Sequence, residues 1–131
     1  MARLVDLNAE FAKLTMLRGR TPTTAVAERR EAICRLLPYR DGGIFAAKFS
    51  GKGAWERHPQ GEEIVQILEG RTTLHLITAE GRERLELTAG MLVVVPTNAW
   101  HQFEAPEGVS LITATPQPTE NLEVDVEDPT L

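Results

Sequence analysis

Cysteine, histidine and the aromatics are scarce in this chain: one Cys, three His and 5% Phe, Trp and Tyr in 131 residues. A single thiol, Cys34, excludes an internal disulfide, so a packed core and not cross-links must hold the fold. That usage suits a reducing compartment, and a cytoplasmic location is the expectation. Cys34 lies in the apolar stretch AICRLL, where it reads as a structural thiol and not a nucleophile. Long hydrophobic runs are also missing. The longest, MLVVV, is far short of the roughly 20 residues that cross a bilayer as a helix. The start, MARLVDLNAEFAKL, meets acids early and has no apolar h-region, which argues against a secretory signal. Positive charge is not in excess. The formal net charge is −5, whereas a general nucleic-acid binder would carry a basic face. Neither GxxxxGK(S/T) nor GxSxG occurs, so a P-loop phosphate cradle and a nucleophile elbow are both excluded.

What is present is an ordinary apolar and charged fraction, 42% and 25%, and enough chain for one domain with a real core. Residues 1–30 read as an N-terminal arm or short helix. Leu7, Phe11, Leu14 and Leu17 recur at helical spacing, Gly19 can end such a helix, and RGRTPTT follows as a loop. Packing of this arm on a partner subunit is the other reading. From 31 to 116 the texture is β. EAICRLLPY and GIFAAKF flank the turn signal RDGG. EEIVQILE precedes Gly70, TTLHLIT and RERLELT flank AEGR, and MLVVVP, WHQFEA and VSLITAT follow. Short strands without helix-period segments between them predict an all-β sandwich or barrel. Residues 117–131 read as a flexible, Pro-rich acidic tail. Its five acids (Glu120, Glu123, Asp125, Glu127, Asp128) face no Lys or Arg, so the body of the chain is near neutral. The alternation of Leu122, Val124 and Val126 leaves an added edge strand open.

The three histidines are His58, His75 and His101. His75 sits between Leu74 and Leu76, so if those face the core it faces away, as a surface residue. In the stretch WERHPQGEEIVQILEG, His58 and Gln60 share one face of an extended chain, and Glu56 shares it with them. Pro59 and Gly61 can bend the chain and bring Glu63 to the same point. Glu63 shares parity with Val65 and Ile67, and His101 with Phe103, so both point inward. Two imidazoles and a carboxylate suit a borderline divalent metal and leave positions for water or substrate. Gln60 is either a fourth, weaker ligand or a group that orients a bound water. Glu56 is a candidate for proton transfer, against the plainer role of a solvated rim carboxylate. Trp55 and Trp100 either line a substrate mouth or pack a barrel end.

The chain here resembles the cupin superfamily. That family's first motif is G(X)5HXH(X)3-4E(X)6G and its second is G(X)5PXG(X)2H(X)3N. Gly90, Pro96 and His101 in GMLVVVPTNAWHQFEA fit the second, with Asn98 for its glycine and Ala105 for its last Asn. Asn tolerates left-handed φ, so the first change is mild. His58, Glu63 and Gly70 fit the first motif. Gln60 stands where a second histidine is expected, two residues and not three or four separate it from Glu63, and Gly51 and Gly53 bracket the opening glycine. The resemblance implies a double-stranded β-helix, or jelly roll, over residues 31–116. It implies His58, Glu63 and His101 as metal-ligand positions, with position 60 a site position holding an unexpected residue. It implies a homodimer, often one that exchanges N-terminal strands.

Fold does not choose among the family's activities. The first reading is a metal-dependent enzyme, dioxygenase-like by analogy, with Fe, Mn, Ni or Zn acting on a small oxygenated substrate. The second is a non-catalytic small-molecule-binding or sensing protein. The third is a metal-free isomerase or epimerase with His58 or His101 as base. Neither nucleic acid nor membrane is an expected partner.

Overall fold

A computed structural model describes residues 1–131. Two short helices, α1 (Leu7–Ala12) and α2 (Val26–Arg29), lie among nine strands. The strands are β1 (Leu17–Arg20), β2 (Ile33–Tyr39), β3 (Gly42–Lys52), β4 (Trp55–Arg57), β5 (Glu63–Thr78), β6 (Gly81–Thr88), β7 (Leu92–Val95), β8 (Trp100–Pro116) and β9 (Glu120–Leu122). Asp6 caps α1 by accepting from the Ala9 amide, but the helix ends at Ala12. The helical periodicity expected to run to Leu17 stops there, because Leu17 onward pairs in parallel with β3, Leu17 opposite Phe49 and Arg20 opposite Gly51.

β3, β5 and β8 are long strands that bend, and the bends close the sheet. One row runs Ile44, Ala114, Ile64, Val94 across β3, β8, β5 and β7. Another runs Glu83, Leu76, His101, Glu56, Asn121 across β6, β5, β8, β4 and β9. The first half of β5 therefore pairs with the second half of β8, and the reverse, which wraps one sheet into the expected jelly roll. Sequence patterning divides β5 at Gly70 and β8 near Gly108. Both glycines adopt positive φ, 76° and 108°. Gly70 lies opposite Val109, and a Cβ on it would collide with the Gly108 carbonyl oxygen. These residues bend the strands without ending them.

The core sits between the two halves. Phe49, Val65, Ile67, Leu74, Val95, Ala105 and Val109 are buried at 1% exposure or less, and Phe49 meets Phe103 edge-on with centroids 6.5 Å apart. The C-terminal segment, expected to be a flexible tail, runs back over the barrel. β9 pairs with β4, Trp55 Nε1 donates to the Val126 carbonyl at 2.9 Å, and Lys52, Arg57 and Arg82 pair with Asp125, Glu120 and Glu127. His75 does face away from the core but is not a surface residue. It is 7% exposed beside Trp55, with Nε2 3.0 Å from Glu104 Oε1. Cys34 is half-buried, and burial pushes its thiol pKa up, as fits an inert thiol. No helix is long and apolar enough to cross a membrane.

Candidate metal centre

β4 alternates. Trp55 and Arg57 turn outward, Trp55 under the returning C-terminal segment and Arg57 against Glu120 and the Trp100 ring. Glu56, and His58 just beyond the strand, turn inward. Neither tryptophan therefore lines the mouth. Glu56 is the cross-strand partner of His101, so antiparallel pairing brings their side chains to one face. Glu63 opens β5 and alternates inward with Val65 and Ile67. The second loop is tied to the first by the Asn98 amide, which donates to the His58 carbonyl at 3.0 Å, and Asn98 takes φ of 61°. Asn is one of the few residues besides glycine that visits this conformation readily.

The result is a cluster of Glu56, His58, Glu63 and His101 whose donor atoms all lie within 4.8 Å of one another. Glu63 stands between the imidazoles: Oε2 is 3.2 Å from His58 Nε2 and Oε1 is 3.2 Å from His101 Nε2. Glu56 Oε1 is 3.5 Å from His101 Nε2 and 4.0 Å from His58 Nε2. His58, Glu63 and His101 are buried, while the Glu56 side chain keeps 28% of its surface. Each histidine is held by its other nitrogen. His101 Nδ1 donates to the Ala99 carbonyl at 2.9 Å, which leaves Nε2 the lone pair in the neutral ring. His58 Nδ1 lies 3.0 Å from the Thr119 hydroxyl. Thr115 donates to Glu63 Oε2 at 2.6 Å.

His58 Nε2, Glu63 Oε1 and His101 Nε2 are buried without a hydrogen-bond partner. Their nearest polar neighbours are one another, Glu63 Oε1 being 3.2 Å from His101 Nε2, and three such atoms turned to one point fit a shared proton or a cation. In the metal-free cluster the charges compensate each other. Burial alone would raise the Glu63 pKa, but His101 and His58 outweigh it and hold the carboxyl at about 2. Burial alone would lower the His101 pKa, but Glu56 and Glu63 raise it to about 10. A metal bound here would have to displace the proton that this pair holds.

Gln60 does not join the cluster, which corrects its expected place as a ligand or water-orienting group. Pro59, Gln60 and Gly61 form the turn between His58 and Glu63, and the extended-chain parity that would align Gln60 with His58 breaks in that turn. Gln60 is exposed and lines a separate depression with Tyr39, Arg40 and Glu62. A cavity of about 210 Å³ opens on Glu56, His58 and Glu63. Its apolar wall includes Phe45, Phe49, Phe103 and Leu111. Its polar lining includes Thr113, Thr115, Thr119 and Asn121, with Arg20 and Arg29 at the side. Sequence reasoning missed Thr115 and Thr119. The inward parity of Thr113 and Thr115 in VSLITAT is a usable signal for the first, while Thr119 lies in a stretch whose fold depends on long-range pairing.

Residues 46–114, more than half the chain, match the cupin domain family. No curated protein matches in sequence. A solved cupin-2 domain protein from Shewanella frigidimarina is 18% identical over 87% of this chain and 95% of its own, with a TM-score of 0.63. A protein from Neisseria meningitidis is also 18% identical, over 88% of this chain and all of its own, at 0.64. A hydroquinone 1,2-dioxygenase in complex with Cd²⁺ and 4-hydroxybenzonitrile is 13% identical over 64% of this chain and 63% of its own, at 0.55. Closed jelly roll, converging His and Glu side chains and family match agree: the chain belongs to the cupin superfamily.

Proposed function

We propose that this cupin is a metal-dependent enzyme acting on a small oxygenated molecule, with His58, Glu63 and His101 as ligands to Fe, Mn, Ni or Zn. The observation that carries this reading is the convergence of three buried donor side chains, His58, Glu63 and His101, beside a cavity. Imidazole and carboxylate suit each of those ions. The bound ion would supply Lewis acidity, and with Fe or Mn also redox chemistry. The chain supplies the rest. Thr119 and the Ala99 carbonyl orient the imidazoles. Glu56, the least buried member of the cluster and a cavity-lining group, is placed to carry a proton between substrate and solvent. The apolar wall limits water around the reacting atoms. Dioxygenase chemistry is the class placed first, by analogy with the hydroquinone 1,2-dioxygenase. The likeness at 13% identity supports the fold, and the reaction class is our proposal.

Elemental analysis of the purified protein tests the centre. Near-stoichiometric transition metal that falls at least tenfold in His101→Ala and Glu63→Gln is the expected result. Metal-free protein that resists loading sinks the reading. A second reading has an observation of its own: Glu63 and His101 neutralise each other without any ion. It is a metal-free binding protein or isomerase, and binding or turnover unchanged by chelator would favour it. We further propose a homodimer in the cytoplasm. The exposed side chains of Ile64, Leu92 and Val94 form an apolar outer stripe that a second copy would cover. A monomeric mass by light scattering overturns the dimer.

A further inference from the structure

Arg20 reaches the cavity from outside the cupin-matching segment. Its strand, β1, pairs with β3 at Gly51, where any Cβ would collide with the Arg20 backbone. The side chain then lies over Gly53, with its guanidinium carbon 4.8 Å from the centre of the Phe49 ring. Gly53 and an aromatic face thus make a bed for one guanidinium, on a strand that Gly51 lets approach. Its Nε is buried and has no hydrogen-bond partner. The ion pairs of the chain's lysines and arginines fall on Lys13, Lys52, Arg57 and Arg82 instead. Burial pulls the Arg20 pKa down, and Glu56 opposes that pull without reaching ion-pair distance. A half-buried guanidinium with a buried Nε and no carboxylate at ion-pair distance is poorly compensated, and stacking on one ring recovers only part of that. Such a group favours an anion, and the cavity that Arg20 lines is where one would bind.

Resting on the reading of the cluster as the reaction centre, we propose that Arg20 anchors the carboxylate of a small substrate, whose other end then meets Glu56, His58 and Glu63. The geometry sets the class. A planar fork matches a carboxylate through two parallel N–H···O bonds. Glu56 and Glu63 line the same cavity and repel a second negative charge, so the anion is a monoanion. Phe45, Phe49, Phe103 and Leu111 want an apolar body on it. The cavity, about 210 Å³, suits a small body of a few carbons or one ring. Arg29, also on the cavity wall, adds positive charge at the same side.

Titration calorimetry of chelator-treated, full-length protein tests this with acetate, isobutyrate and benzoate, each against its own amide. Chelation removes direct binding to a metal from the comparison. The wild type is expected to prefer at least one acid over its amide by about tenfold or more. Arg20→Met and Arg20→Gln are expected to bring that preference to within twofold, and Arg20→Lys to keep part of it. Two variants guard against one failing to fold, with thermal melts as the check. No acid preference in any of the three pairs overturns the anchor, and so does a preference that survives in a folded Arg20 variant. Metal content and metal loading are measured on the same preparations without chelator. An acid preference that depends on Arg20 in a protein that never takes up metal keeps the anchor and removes the metal reading. Loading that depends on His101 without any acid preference does the reverse.

Discussion

His58 presents Nε2 to Glu63 because its other ring nitrogen is tied to Thr119. The contact fixes the ring, and where Nδ1–H donates to the hydroxyl, Nε2 keeps its lone pair. Thr119 acts on the cluster through His58, so its role there is positioning. Thr119→Val keeps the shape and removes the acceptor. Metal affinity, read by chelator competition, is expected to fall about tenfold or more, the usual effect of removing such an outer partner, and Thr119→Ser to restore it. A Thr119→Val protein that holds metal as tightly as the wild type ends this assignment. At the same scale, legibility follows distance along the chain. Glu63 and His101 could be placed from parity, because each lies beside an apolar alternation that fixes its direction, and His58 from the Pro-Gly bend that follows it. Gln60 could not, since parity fails at a turn tip. Thr119 and Arg20 could not either. Each reaches the site through pairing with a strand remote in sequence, and RGR in a polar stretch carries no local mark of a buried guanidinium.

Among the elements, local patterning found where β structure lies but misplaced its ends. EEIVQILE and TTLHLIT are one strand, and so are WHQFEA and VSLITAT. Gly70 and the Pro-Glu-Gly of residues 106–108 are ordinary turn signals, and nothing in one strand says that its neighbour bends at the same place. Here Gly70 lies beside Gly108, so the two bends coincide and pairing resumes beyond them. This coincidence has a functional consequence. Bending β5 and β8 together turns the half carrying Glu63 toward the half carrying His101. A straight pair would leave the two at opposite ends of a flat sheet, since Glu63 opens β5 and His101 opens its antiparallel partner β8. β1 and β9 show the other limit. Both are short and mostly exposed, and their place is decided by the strand edge they meet, Gly51 for β1 and Trp55 to Arg57 for β9.

For the whole molecule, the buried cluster makes stability and metal uptake opposite functions of pH. Glu63, His58 and His101 face one another in the interior, with Glu56 beside them. The Glu63 carboxyl is held at about 2, below its ordinary 4.5. A depressed acid stabilises the fold above its unfolded value, and that contribution is lost as pH falls through the folded one. His101 is held at about 10, above its ordinary 6.5. A raised base stabilises the fold below its unfolded value, and that contribution is lost as pH rises through the folded one. Both describe the same ion pair, so the gain is counted once. Metal-free protein is therefore expected to be most stable between pH 4.5 and 6.5. It should then lose stability toward pH 10 with a slope approaching one proton. Metal competes with the proton on His101, so its affinity should climb through that alkaline window and the loaded protein should keep its midpoint there. Urea titrations at several pH values, with and without metal, read both effects. His101→Gln removes the titrating ring and should flatten the metal-free slope. A metal-free midpoint that stays level from pH 6.5 to 10, or a slope shared by wild type and His101→Gln, would show that this pair does not carry the linkage.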